Sequence, residues 1–176
     1  MKKILALLLV LALALSLAAC GGSAKKGDIT VTDMTGREVT VKLPVTRVVA
    51  LQPADCEILY AIGAGDAVVG RGEYCDSPAE VQDVPSVQSG YNTNTEQIIA
   101  LEPQVLFMST MAQSEEQIQA LEAAGVAVVV SETTDIQGVY NAIEMIGKAL
   151  GKEDKASALW ETGRRSDPEG NRRWWL

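Results

Sequence analysis

The stretch TRVVALQPADCEILYAIGAGDAVVGRG, residues 46–72, decides the fold. Val48, Val49, Ala50 and Leu51 form an unbroken apolar run rich in β-branched side chains, which reads as a strand buried on both faces. Gln52-Pro53 breaks the run. Ile58, Leu59, Ala61 and Ile62 then share one side of a helix, and Asp55 and Glu57 stand in its first turn, where acids suit the helix dipole. Gly63 and Gly65 end that helix, and Ala67-Val68-Val69 is a second buried strand closed by Gly70. Strand, helix and strand in so short a span make a right-handed βαβ unit with parallel strands. Ligands of an open parallel sheet sit beyond the carboxyl ends of its strands. Here those ends are Leu51, Gln52 and Pro53 on one strand and Gly70 to Tyr74 on the next.

Working outward, Ile29-Thr30-Val31-Thr32 and residues 37–41 alternate apolar and polar around the turn Asp33-Met34-Thr35-Gly36, a β-hairpin pattern. On the other side lies a long irregular stretch, residues 71–93, with Pro78, Pro85 and Gly90; connections of that length are often functional. A short helix runs from Thr93 to Ala100, with Thr93 and Glu96 at capping-box spacing. Residues 105–108 are the next buried strand, ending at Ser109-Thr110-Met111. A helix from Ser114 turns Ile118, Leu121 and Ala124 inward and stops at Gly125. Residues 126–130 are a further strand, ending at Ser131-Glu132-Thr133. Asp135 opens a helix with Val139, Ile143, Ile146 and Leu150 at helical spacing, closed by Gly151. Four strands alternating with helices make a layered α/β domain over residues 29–151. Another helix opens at Glu153 and runs to about Leu159. Residues 163–176 shift in composition to four arginines and two tryptophans without apolar periodicity, which reads as a truncation or a frameshift.

The amino terminus has the build of a secretory signal over residues 1–19. Lys2-Lys3 precede twelve apolar residues, 4–15, too few to span a bilayer comfortably, and small residues follow. Residues 20–28 form a tether rich in Gly, Ser and Lys. Without Lys2 and Lys3, thirteen basic residues face twenty-three acidic ones, a formal charge of −10. That surface argues against nucleic acid as a partner. The chain has no histidine, which excludes Ser-His-Asp and Cys-His catalysis and His-ligated zinc. Nor is there a G-x-S-x-G elbow. Gly63, Gly65 and Gly70 follow a helix where dinucleotide-binding glycines open one. Cys56 and Cys75 lie near the ends of the first two strands, and a disulfide and two free thiols both fit.

Several pieces, taken in order, resemble one family. They are the hairpin ITVTDMTGREVTV, the run RVVALQPADCEILYAIGAGDAVVG and the segment NTEQIIALEPQVLFMS, all behind Leu17-Ala18-Ala19-Cys20, which is similar to the lipobox of bacterial lipoproteins. Together they resemble the N-terminal lobe of the substrate-binding lipoproteins of ABC importers for ferric siderophores, haem and cobalamin. The resemblance implies a parallel-sheet lobe with an N-terminal hairpin, one half of a clamshell whose lobes are joined by a long helix. Residues 152–162 then start that helix, and the second lobe is missing from the sequence. It implies a protein without cofactor, metal site or catalysis, which passes a ferric siderophore, a cobalamin or a haem-like chelate to an ABC importer permease. Haem is disfavoured by the lack of histidine, although tyrosine also ligates it. Lipid on Cys20 would hold the protein at the outer face of the cell membrane, the periplasmic side where an outer membrane exists.

By the same resemblance Arg71, Tyr74, Tyr91, Ser109, Thr110 and Met111, with Gln52 and Pro53 at the first strand end, line or adjoin the ligand cleft. Aromatic rings suit a flat macrocycle or a catechol, and Arg71 suits an anionic ferric complex. The plainer reading makes Tyr91 a turn residue, Arg71 a solvated charge and Met111 part of the core. Glu96 matches the glutamate that pairs with permease arginines, or it completes the cap with Thr93. Two other functional readings stand beside the receptor: a non-functional truncated fragment of one, and a small extracytoplasmic α/β enzyme.

Overall fold

The computed structural model describes residues 26–90, 92–110 and 114–166. Cys20, Tyr91, Met111 and the tail from 167 onward lie outside the described residues. The chain begins with the hairpin β1 (Gly27–Thr32) and β2 (Glu38–Leu43), paired antiparallel with Val31 opposite Val39. There follow β3 (Val48–Ala50), α1 (Pro53–Ala61), β4 (Val68–Gly72), β5 (Ser86–Val87) and α2 (Thr95–Ala100). Then come β6 (Val105–Met108), α3 (Glu115–Ala123), β7 (Ala127–Val130), α4 (Ile136–Ala149) and α5 (Glu153–Ser166). Strands β3 to β7 form one parallel sheet in the order β5-β4-β3-β6-β7.

Apolar runs make this sheet because both its faces are covered. Side chains alternate faces along a strand. Val48, Ala50, Phe107 and Val129 therefore pack on one side with Leu59 of α1, Ile62 at its C-cap and Ile146 of α4. Val49, Leu106, Met108, Val128 and Val130 pack on the other with Ile98 of α2 and Leu121 of α3. Each of these fully buried side chains larger than alanine contributes about 1.5–3 kcal/mol. Backbone closeness sets one glycine: a Cβ on Gly72 would run into the Leu51 carbonyl, so only glycine lets β4 lie against the end of β3. At the far edge the hairpin turn seals β7. Met34 N–H donates to Val130 O (3.0 Å) and Val130 N–H to Asp33 Oδ2 (3.4 Å). Arg37 Nη2 donates to Val128 O at 2.8 Å, and its Nε pairs with Asp33 at 2.9 Å. Burial works to raise the Asp33 carboxyl, but the bonds from Thr35 and Arg37 outweigh it and hold the group below its ordinary value.

Several expectations need correcting. The sheet has five strands, because Ser86–Val87 pairs with Arg71 and Gly72; two residues carry no periodicity, so this strand was lost within the irregular stretch. A 3₁₀ turn, Ala79–Asp83, further orders that stretch. Strand β4 begins at Val68 and runs to Gly72, Ala67 belonging to a 3₁₀ turn, Gly65–Ala67. Thr93 does not cap α2. Its hydroxyl donates to Gly90 O (2.7 Å), while Asn94, one residue on, accepts from Gln97 N–H (3.0 Å), so the Thr93–Glu96 capping box is not formed. Ala124 is exposed, because α3 has already ended and Ala124 is its C-cap.

Helix α5 extends past Leu159 to Ser166. Trp160 stacks edge-on with Tyr140 of α4 (5.7 Å between centroids), and the Arg164 guanidinium lies 5.0 Å above the Trp160 ring. These contacts carry the helix into a stretch that lacks apolar periodicity.

Candidate functional site

The parallel sheet places all five carboxyl ends on one rim, as its topology requires. Gln52, Pro53, Arg71, Tyr74, Ser109 and Thr110 lie along that rim or immediately beyond it. What each can offer a ligand depends on the hydrogen bonds it already makes.

Gln52 lies just past β3, at the N-cap of α1, and is half-buried. Its Nε2 donates to Ser131 O (3.0 Å) and Ser131 Oγ (2.8 Å), with Asp55 Oδ2 at 3.3 Å. A carbonyl only accepts, so the amide nitrogen must be the end facing Ser131. Among the described residues no donor meets Gln52 Oε1, which leaves an acceptor for a ligand N–H or O–H. Beneath it, Ser131 Oγ donates to the Asp55 carboxylate, 2.8 and 2.7 Å from its two oxygens. Asp55 is fully buried at the start of α1. Burial pushes its carboxyl up to about 7, against the hydrogen bonds from Ser131 and Gln52, and the charge of nearby Glu132 raises it further. The network Gln52–Ser131–Asp55 therefore ties the end of β3 to the end of β7 across the intervening β6.

Thr110 and Glu132 make a second tie. The backbone N–H of Thr110 donates to Glu132 Oε1 (2.9 Å), and its hydroxyl donates to the same oxygen. Arg71 is half-buried, and its Nε and Nη1 donate to Val84 O (3.2 Å) and Cys75 O (3.1 Å). That guanidinium holds the loop after β4 to the segment leading into β5. Tyr74, on the same loop, is 74 % exposed, a large aromatic ring offered to solvent at the rim. Glu96 is exposed in the first turn of α2, and Ile99, three residues on, is exposed too.

Asp55, Ser131 and Glu132 are site-forming residues that sequence reasoning did not single out as such. Only Asp55 left a signal: an acid flanked by Cys56, Ile58 and Leu59 on the buried side of its helix. Cys56 and Cys75 are both buried free thiols. The hydrogen bond with Cys75, then burial, pushes the Cys56 thiol up; the same bond favours the Cys75 thiolate and lowers its value.

Two hollows lie away from the rim. One of about 750 Å³ is lined by Glu57, Tyr60, Asp66 and Glu80, and an apolar groove of about 310 Å³ runs between α1, α4 and α5. Neither is lined by a rim residue. Among the described residues no group of three or more His, Cys, Asp or Glu is placed to hold a metal ion, and no helix is long and apolar enough to cross a membrane.

A family model described as "Periplasmic binding protein" matches residues 48–162. An uncharacterized ABC transporter substrate-binding lipoprotein of Bacillus subtilis, YvrC, is 36% identical over 160 residues, covering 83% of this chain and 51% of that protein. A vitamin B12-binding protein of Vibrio parahaemolyticus is 30% identical over 105 residues, 60% of this chain and 38% of that one. The crystal structure of the heme binding protein HmuT superposes with a TM-score of 0.68 at 26% identity, covering 81% of this chain and 47% of its own. The chain thus spans about half the length of the relatives it matches, or less.

Proposed function

This chain belongs to the periplasmic binding protein family, and from that premise we propose that it is the N-terminal lobe of an extracytoplasmic receptor that captures a corrinoid or another metal chelate for an ABC importer permease. The observation that carries the reading is Tyr74, an exposed ring at the carboxyl rim of a parallel sheet. After the neighbouring strand β3, Gln52 presents an acceptor backed by a buried network. A planar metal chelate with amide or hydroxyl groups at its edge meets both, stacking on the ring and donating to Gln52 Oε1. Relatives named for vitamin B12 and haem binding support that class. The rim residues Pro53 and Ser109 belong to the same surface, as do Tyr91 and Met111 on the reading from sequence. Arg71 and Thr110 also hold it in shape, Arg71 through Nε and Nη1 to Val84 and Cys75 and Thr110 through Glu132, while Arg71 Nη2 stays available to an anionic group of the ligand.

Glu96 is the contact for permease arginines: it is exposed, takes no part in capping α2, and shares a face with exposed Ile99. Lipid on Cys20 is the anchor that keeps the receptor beside its permease. The receptor does no chemistry on its cargo.

The test titrates the purified chain with cyanocobalamin, haemin and a ferric hydroxamate, following tryptophan and tyrosine emission. Saturable binding of one probe, weakened about tenfold or more by Tyr74→Ala, is the expected result. Absence of saturable binding by all three up to millimolar concentration would leave the chain a fragment without receptor activity.

A further inference from the structure

Cys56 lies in α1 and Cys75 in the loop after β4, and both side chains are completely buried. Each Sγ lies 3.7 Å from the same atom, the carbonyl oxygen of Ala50 at the end of β3. The two thiols are close enough to shift each other's ionisation. A buried cysteine usually packs alone, as a small apolar side chain. Here two converge on one carbonyl from separate elements, in a chain whose first nineteen residues have the build of an export signal, and exported proteins keep disulfides.

We propose that Cys56 and Cys75 are joined by a disulfide in the exported protein, and that this bond clamps the Tyr74-bearing loop to helix α1. Two thiols give up two protons and two electrons to an external disulfide, carried by a thiol–disulfide oxidoreductase or by oxidised glutathione. One S–S bond forms in the protein as the oxidant's bond breaks and leaves as two thiols. One cysteine thiolate attacks the oxidant's disulfide, and the other then displaces the oxidant from the mixed disulfide. Neither sulfur is accessible once the loop has closed, so the exchange belongs to folding, and the finished bond is shielded from small thiols. The clamp stands whether or not the rim binds a chelate.

The test expresses the full chain with its leader and recovers it from the cell envelope. The protein is denatured and alkylated with and without prior reduction, and the peptides carrying Cys56 and Cys75 are weighed. The expected result is a cross-linked pair lighter by two hydrogens, with both cysteines labelled only after reduction. Labelling of both without reduction overturns the disulfide. A second measurement compares melting of wild type with the double variant Cys56→Ala, Cys75→Ala. Reductant present during refolding should lower the wild-type midpoint by about 5 °C or more and leave the variant unmoved. Equal wild-type midpoints in oxidised and reduced form overturn the clamp.

Discussion

Replacing Asp55 with Asn should flatten the pH dependence of stability, and the size of the change follows from the network beneath the rim. In the unfolded chain Asp55 ionises near 3.8, and in the fold at about 7, because burial outweighs the hydrogen bonds from Ser131 and Gln52. The folded value is the higher one. Between the two values the folded chain holds a proton that the unfolded chain has released, so stability falls as pH rises and levels off above the folded value. A shift of that size corresponds to about 4 kcal/mol in all, of which about 2–3 kcal/mol is lost between pH 5 and pH 8. Asn cannot ionise. Its Oδ1 still accepts from Ser131, or the hydroxyl turns and accepts from Nδ2. Urea melts of wild type and Asp55→Asn at pH 5, 6.5 and 8 read the difference directly. Glu57, which burial also raises, and Asp33 are common to both chains and cancel. The variant should gain on the wild type by about 2–3 kcal/mol between pH 5 and pH 8. Parallel curves for the two proteins would refute the reasoning, since Asp55 would then ionise alike in both states.

Other outcomes follow from the same contacts. Arg37→Ala should cost about 1–2 kcal/mol in urea melts, discounted for the solvent that reaches the half-exposed guanidinium, because it unpairs Asp33 and frees Val128 O. The Asp33 carboxyl is held low in the fold, so its contribution is present above its unfolded value and is lost as pH falls through the folded one. The Arg37→Ala chain should lose part of that acid dependence, and an unchanged acid limb of the melting profile would count against the pairing. Gly72→Ala should destabilise by about 1–3 kcal/mol, since its Cβ meets backbone that cannot step aside; an unchanged melt would show that β4 is free to shift. Glu96→Gln should leave stability and ligand binding alone yet reduce uptake in cells, and wild-type uptake would remove Glu96 from the docking surface.

Much of the framework was legible because burial on two faces writes itself as continuous apolar runs. Residues 48–51, 105–108 and 126–130 show this, and the alternation of faces follows from strand geometry. Strand β5 was not legible, because its two residues are recruited by pairing with Arg71 and Gly72 and not by any pattern of their own. The α2 cap was misplaced by one residue because Thr93 and Asn94 both carry capping side chains, and only the tertiary path of the chain chooses between them. The rim was legible from topology alone. Which rim side chains are free to meet a ligand was not. Arg71, Thr110 and Gln52 spend donors on Val84, Glu132 and Ser131, residues distant in sequence or on another strand.

The turn that closes the first hairpin has a consequence for how such molecules behave in a crowd. A parallel sheet exposes two rows of unpaired backbone groups, and identical chains held close together are apt to join along them into extended ribbons. Asp33, Met34 and Arg37 occupy groups on one of those rows, and the other row belongs to a strand only two residues long. Neighbouring copies therefore find little edge on which to grow, and they can crowd together while remaining separate molecules.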